Sequence, residues 1–166
     1  MTLAATRLDS PVGVLTLVAS DVGLVAVLWP DDDPRRVPLP TLGQHDDHPM
    51  LRAATAQLTA YFAGERRVFD VPLDMRGTDF QKAVWAALLT IPYGQTRSYG
   101  AIALALGRPD ASRAVGAANG RNPISIIVPC HRVVGSTGKL TGFAGGMTAK
   151  AHLLALERRD GELPFG

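Results

Sequence analysis

The hydrophobic pattern of this chain changes period near residue 78, so a uniform all-α or all-β architecture cannot serve both halves. Residues 3–9, 12–20 and 22–29 are short apolar-rich runs, the last two dominated by Val and Leu. Ser10-Pro11-Val12-Gly13 and Ser20-Asp21-Val22-Gly23 separate them. Short runs punctuated by Gly, Pro, Ser and Asp predict three strands in an antiparallel meander. Residues 30–49 contain five prolines, five aspartates, Arg35, Arg36, His45 and His48, and predict a loop. The two histidines invite a metal reading, but no cysteine lies near them, and they are read as solvated. Leu51, Ala54, Leu58, Tyr61 and Phe62 recur at helical spacing over 50–63. Val68 to Leu73 alternates as a further strand would.

Beyond residue 78 the pattern is helical. Thr78-Asp79-Phe80-Gln81 matches a capping box, in which the Thr and Gln side chains each satisfy one backbone N–H. Phe80, Val84, Ala87, Leu88 and Ile91 then form an apolar stripe, ended by Pro92-Tyr93-Gly94. Ser98 is placed to cap a helix over 99–106 closed by Gly107, and Asp110 to cap another over 111–119. Such a pair resembles a helix-turn-helix, a motif that many helical domains contain without touching DNA. Gly135, Gly138, Gly142, Gly145 and Gly146 mark turns; the segment has neither Gly-x-Gly-x-x-Gly nor a P-loop pattern. A final helix over about 147–159 presents Leu153, Leu154 and Leu156 and carries Glu157. The expected fold class is α+β, with domains at 1–77 and 78–166.

The 166 residues suffice for one large or two small domains. No run approaches the roughly 18 apolar residues of a membrane span, and no cleavable apolar leader is apparent. With one unpaired cysteine, these features predict a soluble, cytoplasmic protein with no membrane association. The net charge of +2 is unevenly spread: residues 1–77 hold 7 Lys/Arg against 10 Asp/Glu, and residues 78–166 hold 10 against 5. A basic second half suits a polyanionic partner, nucleic acid above all, or an ordinary solvated surface.

Cys130, the sole cysteine, lies in Ile126-Ile127-Val128-Pro129-Cys130-His131-Arg132-Val133-Val134. It cannot form an intramolecular disulfide, and thiolate-rich metal sites need several cysteines. It is therefore an inert buried thiol or a nucleophile. The adjacent base and cation favour the second, since neighbouring basic groups raise the thiolate fraction. The helix Ala111-Ser112-Arg113-Ala114-Val115-Gly116-Ala117-Ala118-Asn119 is nearly bare of long side chains. It is poorly equipped to read major-groove base edges. It suits either close approach to a narrow groove, with Arg113 penetrating the duplex, or tight interior packing with Arg113 in an ion pair.

Pro129-Cys130-His131-Arg132-Val133-Val134, preceded by Arg113-Ala114-Val115-Gly116 and Asn122-Pro123, closely resembles the O6-alkylguanine-DNA alkyltransferases, the methylated-DNA–protein-cysteine methyltransferases. The resemblance covers residues 78–158 and extends more loosely through Tyr61-Phe62-Ala63-Gly64 and Phe80-Gln81. It implies a ribonuclease H-like first domain and a second domain that binds the minor groove through its helix-turn-helix. The implied activity is irreversible, single-turnover transfer of the alkyl group from O6-alkylguanine in double-stranded DNA, chiefly O6-methylguanine, to Cys130. His131 would take the thiol proton through a water, Glu157 would orient His131, and Tyr99 would hydrogen-bond the flipped guanine. Arg113 would fill the vacated stack, with Ser112, Ala114 and Gly116 beside it on the DNA. Asn122 would be the hinge to the active-site strand, and Val133, Phe143, Ala144 and Ser125 would line the base pocket. No cofactor and no metal are implied, and the protein would act as a monomer.

At Thr141-Gly142-Phe143-Ala144-Gly145-Gly146 the family commonly has Tyr, then Ser or Gly, before the last glycines. Phe143 keeps a stacking surface without a hydroxyl, and Ala144 offers only backbone donors. The rivals are a lesion-binding module without acceptor chemistry, a Cys-His-Glu hydrolase, and a transcription factor. Cys130 argues against the first, the adjacency of Cys130 and His131 against the second, and the absence of a cysteine-cluster sensor domain against the third.

Overall fold

The computed structural model describes residues 3–40, 42–44, 47–135 and 143–161. The chain forms two compact units: Met1–Arg76 with Pro123–Ser125, and Gly77–Asn122 with Ile126–Gly166. In the first, β1 (Leu3–Ser10), β2 (Gly13–Ala19) and β3 (Leu24–Leu28) form the expected antiparallel meander. A strand absent from the sequence reading, β4 (Leu42–Gln44), adds in parallel to β1 and gives the order β3-β2-β1-β4. The sheet is therefore mixed, and residues 30–49 are not loop throughout. Val37 and Leu39 from that segment pack against the cluster of Leu3, Ala5, Val18, Val25 and Ala26.

Helix α1 (Pro49–Phe62) buries Leu51, Ala54, Leu58 and Tyr61, as its spacing predicts. His48 caps it, accepting from Met50 N–H at 3.2 Å through Nδ1, while its Nε2 faces Asp21 at 3.5 Å. This gives His48 a structural role; His45, Gly138, Thr141 and Gly142 lie outside the described residues. The strand expected over Val68–Leu73 reduces to a single bridge between Leu24 and Leu73. Pro72 has no N–H to extend a ladder, so pairing is limited to Leu24 N–H on Pro72 O and Asp74 N–H on Leu24 O, both 2.8 Å. Gly23 permits that approach: a Cβ there would stand 2.6 Å from Pro72 O. Residues 123–125 join this unit at the edge of β3, Val27 N–H donating to Pro123 O at 2.9 Å.

In the second unit, α2 (Asp79–Leu88) starts with the capping box complete, Thr78 and Gln81 each accepting the other's backbone N–H. It buries Val84 and Leu88, and also Trp85, whose indole N–H donates to Ala118 O at 2.8 Å. Strand β5 (Arg97–Ser98) leads into α3 (Tyr99–Ala105), where Ser98 is the cap and accepts from Ala101 N–H at 3.0 Å. Gly107 follows at φ +72°, the left-handed turn that glycine adopts at a helix end. Helix α4 (Ser112–Gly120) departs from the reading: Ala111 occupies its cap without a side-chain bond, and Asp110 stands one residue too early. A 3-10 turn, Cys130–Arg132, precedes β6 (Val133–Val134), which pairs in parallel with β5; α5 (Met147–Gly161) completes the unit. Among the described residues no helix is long and apolar enough to cross a membrane.

Candidate active site

The turn that presents Cys130 is held from several sides. Pro129 has φ −82° and ψ 66°, an inverse γ-turn that its ring favours by fixing φ, and it brings Cys130 N–H to Val128 O at 2.8 Å. Asn122, fully buried, donates Nδ2–H to Val128 O at 2.8 Å. Asn119, on α4, donates Nδ2–H to Cys130 O at 3.4 Å. Upstream, Ile126 has φ +75°. A β-branched residue in the left-handed region is strained by about 1–3 kcal/mol, and its complete burial helps offset that cost. The thiol thus sits on a rigid bend, with Cys130 itself 4% exposed.

Directly behind it lies a buried polar cluster. His131 Nε2 is 2.6 Å from Glu157 Oε2, and both side chains are essentially inaccessible. Arg132 closes on the same carboxylate with Nε–H on Oε1 at 2.8 Å and an Nη2–H on Oε2 at 3.0 Å, while Nη1 donates to Ile91 O at 2.7 Å. Burial pushes the Glu157 carboxyl up, but hydrogen bonds from His131 and Arg132 and their charge outweigh it and hold the group at about 2. Burial lowers the His131 pKa against the opposing pull of Glu157. An ionised Glu157 accepts from Nε2–H, which leaves Nδ1 with its lone pair; that atom is buried and has no hydrogen-bond partner. The lowered pKa favours a neutral imidazole with Nδ1 as its open acceptor.

This arrangement revises the electrostatics expected from the Cys-His-Arg string. Arg132 is committed to Glu157 and Ile91 rather than to the thiol. A cation that couples to Cys130 is Lys150 on α5, which sequence reasoning missed. Lys150 is fully buried, donates to Val133 O at 2.7 Å and lies 5.8 Å from the Phe143 ring centroid. Burial lowers its pKa, with Cys130 opposing. Asn119 and Trp85 were missed as well. A lone polar residue on an otherwise small-residue helix carries no periodic signal.

The remaining expected residues lie as follows. Tyr99 is half-buried at the start of α3, and a Cβ on Gly116 would stand 3.8 Å from its ring. Helix α4 buries Val115, Ala118 and Asn119 and exposes Arg113, Ala114, Ala117 and Gly120; Ser112 is half-buried. Arg113 makes no ion pair among the described residues, so the interior-helix reading holds for one face only. Phe143 is half-buried and Ala144 exposed, joined by a turn in which Gly146 N–H reaches Phe143 O at 2.9 Å. Val133 is fully buried, its carbonyl taken by Lys150. Ser125 belongs to the first unit, where its hydroxyl accepts from the Trp29 indole at 3.1 Å. No cluster of three or more metal-ligating side chains occurs among the described residues.

Comparison with known proteins places this geometry in a family. Residues 79–159 match the family described as 6-O-methylguanine DNA methyltransferase, DNA binding domain. Residues 3–75 match its ribonuclease-like domain. A methylated-DNA–protein-cysteine methyltransferase of Mycolicibacterium paratuberculosis is 54% identical over 153 residues, 91% of this chain and 90% of that protein. One from Methanosarcina acetivorans is 51% identical over 149 residues, 90% of this chain and 94% of that protein. The crystal structure of Mycobacterium tuberculosis OGT in complex with DNA superposes with a TM-score of 0.86 at 52% identity, covering 95% of this chain and 94% of that one. Both domains of the chain, and the turn that carries its single thiol, therefore belong to the methylated-DNA–protein-cysteine methyltransferase family.

Proposed function

We propose that this protein repairs DNA by moving the alkyl group of O6-alkylguanine, chiefly O6-methylguanine, onto the Cys130 sulfur, once per molecule. The observation that carries the reading is the buried His131–Glu157 pair at 2.6 Å, which leaves a neutral imidazole acceptor one residue from the only thiol. In this reading one chain acts alone on duplex DNA in the cytoplasm, without a cofactor.

The chemistry follows from the residue types. His131 Nδ1 takes the Cys130 proton by way of a water, and Glu157 stabilises the imidazolium. The thiolate attacks the alkyl carbon, the carbon–oxygen bond breaks, and its electron pair stays on the guanine. Tyr99 meets the growing charge with its hydroxyl, and backbone N–H groups near Ala144 supply what that side chain lacks. A base within a duplex is out of reach, so the guanine is extruded at a cost of a few kcal/mol. Helix α4 offers a surface of Ala and Gly for close approach and one exposed guanidinium, Arg113, to occupy the gap. Asn122 joins that helix to the segment leading to Cys130, and Phe143 and Val133 pack around the base.

The test is mass spectrometry after incubation with a duplex containing one O6-methylguanine. One methyl group per protein, on Cys130, is expected, and Cys130→Ser should abolish the gain while keeping DNA affinity. Methyl transfer persisting in that variant refutes the assignment, and sustained multiple turnover points to hydrolase chemistry.

A further inference from the structure

We infer that Asn119 is a positioning residue for the removal of the Cys130 proton, holding one water molecule against the thiol together with His131. The inference rests on the reading of Cys130 as alkyl acceptor. Among the buried side-chain nitrogen and oxygen atoms described, two have no hydrogen-bond partner: His131 Nδ1 and Asn119 Oδ1. Both belong to residues attached to the nucleophile. His131 is its neighbour in the 3-10 turn, and Asn119 grips its carbonyl through Nδ2 at 3.4 Å. Asn119 is 4% exposed and His131 0%. Buried acceptors are satisfied in nearly all folded proteins, and two orphans on residues attached to the same cysteine are met most simply by one shared donor.

Water fits that need, since a buried water typically makes about three hydrogen bonds. Its two O–H groups donate to His131 Nδ1 and Asn119 Oδ1, and its lone pair faces the Cys130 S–H. The proton transfer then balances. The S–H bond breaks and its proton goes to the water oxygen; the water passes one of its own protons to Nδ1 and is regenerated. Sulfur keeps the electron pair and attacks the alkyl carbon, and the imidazolium rests on Glu157. Asn119 exchanges no proton. By holding the second O–H it keeps the water's lone pair turned toward sulfur, and the bond from Nδ2 to Cys130 O keeps the carboxamide from rotating away. The charged groups facing His131 are Glu157, Arg132 and Lys150, and none changes in the test.

The experiment compares wild type with Asn119→Leu and Asn119→Ala. It measures the pH dependence of Cys130 alkylation by iodoacetamide, methyl transfer from an O6-methylguanine duplex, and Tm. Leu matches Asn in size and lacks an acceptor. It should slow both reactions by about tenfold or more and move the midpoint of the iodoacetamide profile upward. Ala leaves room for a second water and should lose less. A purely packing role predicts the reverse order, with Ala worse than Leu in Tm and rate and the pH midpoint unmoved. An unmoved midpoint in the Leu variant, or in the Ala variant if Leu does not fold, overturns the inference. Failure of wild type to take methyl from DNA, with the midpoint shift intact, would overturn the alkyl-transfer reading alone.

Discussion

The two cations near Cys130 do different work. Arg132 spends three N–H groups on Glu157 and Ile91, so its charge serves the carboxylate. Lys150, with its amine on Val133 O, is a cation that couples to the thiol. Glu157 is thus the keystone: it accepts from His131, from Arg132 and, at 3.4 Å, from Gly94 N–H. Glu157→Gln keeps the shape and removes the charge, leaving a buried guanidinium without its counter-ion. Breaking a buried pair costs about 3–5 kcal/mol, and a loss near the lower end is expected in chemical denaturation. Alkyl transfer should slow by about a hundredfold, because the imidazolium formed on deprotonating Cys130 loses its partner. Wild-type stability in that variant would show that the carboxylate is not the centre of the cluster. The residue types of this site were legible from their string, but not who pairs with whom. Which group Arg132 meets depends on α5 and on Ile91, far away in sequence. Nothing about Lys150 in the string distinguishes a buried lysine from a solvated one.

Elements whose ends are decided locally were read closely. Thr78 and Gln81 satisfy each other within one turn, so the start of α2 was visible. Ser98 capped α3 for the same reason. Where pairing is long-range the reading failed: β4 is three residues without periodicity, ordered by β1 some forty positions earlier. Val68–Leu73 alternates, but Pro72 denies it a ladder. Helix α4 is the intermediate case. Its thinness is plain in the sequence, but only the fold shows that Val115, Ala118 and Asn119 face in while Arg113, Ala114 and Ala117 face out. That division yields a prediction. Arg113→Ala should slow repair of duplex DNA far more than reaction with O6-benzylguanine as a free base, provided the pocket admits it. The free base never incurs the few kcal/mol of unstacking. A simple phosphate contact would instead weaken binding to all DNA and lower the salt slope by about one. Equal slowing on both substrates would remove Arg113 from base extrusion.

At the scale of the whole molecule, each unit contains one of the two tryptophans, Trp29 in the first and Trp85 in the second, both buried. The ionisable cluster sits in the second, so pH should act on stability there. The His131 pKa is lowered in the fold, so below about 6.5 the unfolded chain binds a proton that the folded one refuses, and stability falls as pH falls. The Glu157 carboxyl is held at about 2, below its ordinary 4.5. Its contribution is complete above 4.5 and is lost as pH drops from there toward 2. Lys150, lowered from 10.5, has the same sign: the folded state releases its proton first, so stability rises with pH in the alkaline range. Each group changes stability by up to about 1.4 kcal/mol per pH unit within its window. With Trp29→Phe as background, Trp85 fluorescence reports the second unit alone. Its urea midpoint should decline between pH 7 and pH 5, and His131→Gln should flatten that decline. A midpoint independent of pH across this interval would mean that His131 binds its proton alike in the folded and unfolded chain, and the neutral, buried base that the proposed chemistry requires would be lost with it.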